Sequence, residues 1–132
     1  MAKKKNTRKP AGRYVDGFVM PVPRRKVAEY RRLAKLGCKI WLEHGALDYK
    51  ECIADDVKKG KWTSFPRSVK LKPNEVVWFS YIVYKSRASR DAIMKKVMQD
   101  PRMAKAMPAD PKDWPFDGKR MIWGGFKVSV SA

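Results

Sequence analysis

The sequence predicts one α+β domain, with two helices and four strands in the order βαββαβ and the strands joined in an antiparallel sheet. Three observations carry this. The stretches 24–44 and 86–100 repeat apolar residues at spacings of three and four. The stretches 14–22, 46–54, 75–84 and 121–130 are rich in β-branched and aromatic residues, bounded by glycine and proline. A length of 132 residues is one domain's worth of chain and holds a core without disulfides or metal.

The elements follow in order. Lys and Arg crowd residues 1–13, which read as a disordered basic tail ahead of the domain at 14–132. Tyr14 to Val22 reads as a strand that Pro21 and Pro23 end, with Asp16 and Gly17 as its odd members. In the first helix Val27, Tyr30, Leu33, Ala34, Gly37, Ile40, Trp41 and His44 share one face, and Gly45 is placed for a left-handed cap. In the second strand Leu47, Tyr49, Glu51 and Ile53 point one way. The connection 55–75 is long, and Trp62 to Leu71 is expected to form a short extra strand or hairpin arm.

Glu75 to Tyr84 is the clearest strand. Val77, Phe79, Tyr81 and Val83 line one face; Val76, Trp78, Ile82 and Tyr84 line the other, interrupted only by Ser80. Ser86 is an N-cap for the second helix, whose stripe is Ala88, Ala92, Ile93, Val97 and Met98. Pro101 stops that helix or begins a short turn. Residues 102–119 read as irregular surface anchored by Trp114 and Phe116. In the last strand, Gly124 and Gly125 suggest a bulge or a close backbone approach.

This order is the ferredoxin-like arrangement, with both helices on one face of the sheet. The other face is apolar in the third strand, so something must cover it. A second copy meeting it sheet to sheet is the simplest cover.

The formal charge is +18. Such a field attracts polyanions, nucleic acid included. Lys3, Lys4, Lys5, Arg8 and Lys9 are the candidates for that contact, and a solvated surface is the plainer reading. Cys38 and Cys52 form no CxxC pair and are expected to be buried free thiols in a reducing compartment. Neither an apolar leader nor a run long enough to span a bilayer is visible, so the expected address is the cytosol, with no membrane partner. No metal site, phosphate loop or cofactor motif stands out, and none is expected.

Several runs carry a resemblance: YVDGFV from Tyr14, EHGALDY from Glu43, TSFPR from Thr63, FSYIVYKSR from Phe79, DPRM from Asp100 and FDGKRMIWGGF from Phe116. Together they make the chain similar to the YbaA-like family of unknown function, over 14–130. That resemblance implies the dimeric α–β barrel fold and a homodimer. It implies no reaction and no catalytic residues.

Candidate chemistry is thin. His44 is the only histidine and sits at a helix end, where it serves as an acid or base or simply favours the helix dipole. Asp16 and Glu51 are acids in apolar strand patterns, expected to face the space between sheets. There they bind a ligand, take a proton or pair with Arg or Lys. Trp78, Tyr81, Tyr84, Trp123 and Phe126 offer aromatic surface, either as core and interface anchors or, by the resemblance, around a modest sheet–helix pocket. Arg67, Arg120 and Asp117 lie in connecting segments, where they order the loops or line a pocket mouth.

Three functions compete. The first is a dimer that binds or transforms a small molecule in a sheet–helix pocket. The second is non-specific polyanion binding through basic surface and tail. The third is a highly charged scaffold, adapted or engineered, without a ligand.

Overall fold

The computed structural model describes residues 13–132. The candidates Lys3, Lys4, Lys5, Arg8 and Lys9 lie outside the described residues. Within them the chain forms β1 (Tyr14–Pro23), α1 (Val27–Glu43), β2 (Asp48–Ile53), α2 (Phe65–Ser68), β3 (Glu75–Tyr84), α3 (Arg87–Gln99), α4 (Pro101–Ala106) and β4 (Ile122–Lys127). The strands make one four-stranded sheet in the order β2-β3-β1-β4, and each neighbouring pair is antiparallel.

Pro21 and Pro23 do not end β1; they pair with Val77 and Glu75. The reason is local. β4 pairs with β1 only as far as Val19, so beyond it one side of β1 is a free edge, where a missing N–H costs no ladder bond. Gly45 turns the chain out of α1 with φ of +117°, a value that suits glycine.

The middle of the long connection is a short helix, not a strand or hairpin arm. The Ser64 hydroxyl accepts from the Arg67 N–H, and Pro66 fixes a helical φ in the first turn. Pro101 begins a helix in the same way, with the Asp100 carboxylate as cap, so the segment after it is not wholly irregular. There is no bulge in β4, whose register with β1 runs unbroken. Gly125 answers to close approach instead, because a Cβ there would overlap the Tyr14 ring.

The core lies between the sheet and the helices. Tyr14, Ile82 and Tyr84 pack with Ile40, Trp41, Ile93 and Val97 at one end. Met20, Val22, Val76 and Trp78 pack with Tyr30 and Ala34 at the other. Of the predicted α3 stripe, Ile93 and Val97 are buried, while Ala88, Ala92 and Met98 are exposed.

Among the described residues, the second face of the sheet is covered at one end only. There Val69, just after α2, packs on Val19 and Val77, and Phe65 meets Phe79 edge-on. Over the rest, Phe79, Ile122 and Phe126 remain exposed. The thiols of Cys38 and Cys52 are free, but neither is buried: Cys38 is half-buried and Cys52 exposed.

Candidate functional site

A cavity of about 480 Å³ opens between the sheet and the helices. From α1, a face of period 3.6 sends in Tyr30, Leu33, Ala34, Gly37 and Trp41. The sheet supplies Phe18 and Met20 from β1, Tyr49 and Glu51 from β2, Ser80 and Ile82 from β3, and Trp123 from β4. Met94 and Met98 of α3, Met103 of α4 and Met107 just beyond it close the far side, with Trp114, Phe116 and Met121. Both methionine pairs recur at four residues, so each pair presents one helix-spaced face. All six methionines among the described residues line this space. Methionine is unbranched and polarisable, so such a wall moulds to a guest and favours aromatic rings.

Among the described residues Glu51 is the one charged side chain in the lining. Its Oε1 accepts from the Tyr30 hydroxyl at 2.9 Å, and its Oε2 from the Tyr49 hydroxyl at 2.7 Å. Burial pushes the carboxyl above its usual range, against the pull of Tyr49 first and then Tyr30. The Trp78 indole N–H lies near enough to favour the charge, yet meets no acceptor in hydrogen-bond geometry. The two tyrosines are pushed far up in turn, by burial and by the carboxylate beside them. Their protons are therefore held on the Glu51 side.

The local fold explains this arrangement. Alternation along β2 puts Tyr49 and Glu51 on one face, and the register sets Glu51 opposite Ser80. A Cβ at Gly37 would stand 2.9 Å from the Tyr49 hydroxyl, so glycine on α1 gives that hydroxyl room to reach Glu51.

Of the sequence candidates, Glu51 and the aromatic Trp123 line the cavity. Asp16 and Glu51 both face the helices and not a space between sheets; Asp16 shares its face of β1 with Phe18 and Met20. Asp16 is fully buried and pairs with the Arg90 guanidinium at 2.7 Å. Burial raises its pKa, opposed by Tyr84 and Arg90. The Tyr84 hydroxyl lies near enough to favour the charge, yet Asp16 Oδ2 meets no donor in hydrogen-bond geometry. The Tyr84 hydroxyl instead accepts from Trp41 Nε1 at 3.0 Å.

His44 caps α1 and meets Asp100 Oδ2 at 3.0 Å, while Arg102 bridges Asp100 and Glu43. This cluster ties the end of α1 to the α3–α4 junction, away from the cavity lining. Trp78 and Tyr84 are core residues. Arg67 donates to the Lys59 and Gly60 carbonyls. Arg120 grips Glu75 through both terminal nitrogens and Asp117 through Nε. Both arginines order loops, and neither lines the cavity.

Sequence reasoning missed Tyr30, Tyr49, Gly37 and the methionines as site residues. The signals were present: Tyr49 alternates with Glu51, Tyr30 and Gly37 share the apolar face of α1, and Ser80 breaks an apolar strand face. Among the described residues no three His, Cys, Asp or Glu gather to hold a metal ion, and no helix is long and apolar enough to cross a membrane.

Comparison with known proteins adds a family. Residues 13–118 match the family described as a protein of unknown function, DUF1428. The chain is 48% identical over 118 residues to "Uncharacterized protein YbaA" of Escherichia coli K12, covering 89% of this chain and 97% of that one. The same protein in Shigella flexneri matches equally. The de novo designed protein Foldit4 superposes with a TM-score of 0.42 at 11% identity, over 90% of this chain and 99% of that one, a likeness that carries no argument. By the family match and the identity to YbaA, the chain belongs to the DUF1428 family.

Proposed function

We propose that this protein binds a small, largely apolar molecule in the sheet–helix cavity, with Glu51 as the group that takes or gives a proton. The observation that carries the reading is a single carboxyl with a raised pKa, held by two tyrosine hydroxyls in a methionine- and aromatic-lined space of about 480 Å³. A cavity of this size and character is the usual form of a small-molecule site, and a carboxyl raised by burial and held by two hydroxyls within it suits proton transfer to a guest. The test is a thermal-shift screen of aromatic compounds against the protein and Ala104→Trp. Ala104 is exposed and lines the cavity, so the larger side chain obstructs it without disturbing the core. Ligand-induced stabilisation lost in Ala104→Trp supports the reading. Equal shifts in both proteins place binding elsewhere.

The assembly belongs to the same proposal. The strand order β2-β3-β1-β4 fits the ferredoxin-like plan. The open face carries Val15, Phe79, Tyr81, Val83, Ile122 and Phe126, with its charged side chains at the margins: Asp48 and Lys50 on β2, paired with each other, and Glu75 at the covered end of β3, paired with Arg120. On a chain of net charge +18, that apolar centre lets a second copy approach with little charge against charge. This supports a homodimer of the α–β barrel kind, and the free thiols fit a cytosolic address. Polyanion binding is the second reading. It rests on the exposed Arg24, Arg25, Arg31, Arg32, Lys35 and Lys39, along and just before α1.

A further inference from the structure

The hydrogen-bonding character of the cavity selects among apolar guests. Most of its donors are already engaged, which leaves two neutral ones, the Ser80 hydroxyl and the Trp123 indole N–H. Tyr30 and Tyr49 give their protons to Glu51, Trp41 gives its N–H to Tyr84, and Trp114 gives its N–H to the Pro108 carbonyl. Among the described residues no Lys, Arg or His lines the space. What the wall offers a guest beside Glu51 is mainly acceptors: the remaining lone pairs of the carboxylate and of the two tyrosine oxygens, backed by aromatic faces.

From this, and resting on the proposed small-molecule site, we infer that the natural ligand is an organic cation or strong N–H donor on an aromatic or aliphatic frame, an amine or protonated nitrogen heterocycle. Its nitrogen sits at Glu51, and its frame lies among the methionines and indoles. Two physical arguments support this class. A carboxylate buried without a cation is costly, and a ligand ammonium removes that cost by pairing with it. The indole faces add cation–π attraction once water is excluded. A carboxylate or phosphate ligand meets the reverse: no cationic side chain among the described lining, and a like charge at Glu51.

The groups facing Glu51 are Tyr30 from α1, Tyr49 from β2, and Ser80 and Trp78 from β3. The lining of α3 and α4 adds methionine and alanine only. Arg31 stacks over the Trp78 ring, 5.9 Å from its centroid, and makes no ion pair with Glu51. Glu51 is therefore the group whose titration governs a cationic guest.

The experiment is calorimetric binding of three probes of one shape: naphthylmethylamine, ethylnaphthalene and naphthylacetate. In the wild type the amine is expected to bind at least about tenfold tighter than its neutral isostere, and the acid weakest. Glu51→Gln is expected to erase the amine's advantage while ethylnaphthalene changes by less than about threefold. A wild-type pH series guards against misfolding of that variant. Amine binding should weaken as pH falls and Glu51 takes up its proton, and ethylnaphthalene binding should not. If ethylnaphthalene binds as well as the amine, if naphthylacetate binds best, or if the advantage survives Glu51→Gln and low pH, the cation preference is overturned and the pocket stands. If none of the three binds, the pocket reading falls and takes this inference with it.

Discussion

Gly37 lies in the middle of α1, where alanine would ordinarily add about 1 kcal/mol of helix propensity. The Tyr49 hydroxyl occupies the space that a Cβ would need. Gly37→Ala should therefore push Tyr49 off Glu51 and remove the donor that most favours the carboxylate. The expected outcome is a further rise in the Glu51 pKa, read by carbon NMR of its carboxyl, with Tyr49→Phe moving it the same way. An unmoved titration in both variants would show that Tyr49 does not hold the charge.

Glu51 itself has a folded pKa raised above its unfolded value, so folding is penalised at pH above the folded pKa and relieved as pH falls through it. Glu51→Gln is expected to raise the melting midpoint at pH 7 by roughly 1–4 °C, the gain shrinking toward pH 4. A loss of stability across that range would mean the tyrosine hydrogen bonds outweigh the buried charge. Asp16 is a different kind of acid, fully buried and ion-paired. Arg90→Leu strands it, with an expected loss of about 3 kcal/mol by denaturant titration, which Asp16→Asn in the same chain should largely restore.

At the scale of elements, α4 is the least anchored wall of the cavity: six residues, none of them buried. Asp100 fastens it, capping the Arg102 N–H at 3.0 Å while its carboxylate holds the Arg102 side chain and His44. Hydrogen bonds from Arg102 and then His44 depress the Asp100 pKa strongly. A depressed carboxylate stabilises the fold above its unfolded pKa and loses that contribution as pH falls through the folded one. Asp100→Ala should therefore speed amide hydrogen exchange across 101–106 at neutral pH, more than in β3, with Met103 and Met107 loosened together. Exchange unchanged there would assign the anchoring of α4 to the methionines.

Across the whole molecule, Asp16, Glu75 and Asp100 each take an arginine into their internal contacts, and of these internal acids Glu51 alone has no cation beside it among the described residues, so the surface keeps essentially the full basic balance of +18. The polyanion reading predicts nucleic-acid retention at low salt that falls steeply as salt rises, without sequence preference. The dimer reading predicts twice the 15.3 kDa chain mass by light scattering, reduced to one chain by Phe126→Lys on the open face. A monomer in the wild type would leave that face to another partner.

The sequence by itself determined the periodic elements. Period 3.6 marked α1 and α3, period two marked β2 and β4, aromatic and β-branched content marked β1, and β3 was apolar on both sides because both faces of a central strand need cover. Glu51 was legible as an odd acid in a strand. The tertiary structure decided the rest. Which face of β2 meets the helices depends on pairing with β3, so Glu51 turned inward with Tyr49. Pro21 and Pro23 stayed in β1 because β4 is short. Residues far apart in sequence, Tyr30, Gly37 and the methionines from Met94 to Met121, became one wall only when the sheet and helices closed over them. Local spacing records which residues share a face of one element; it does not record which two faces meet.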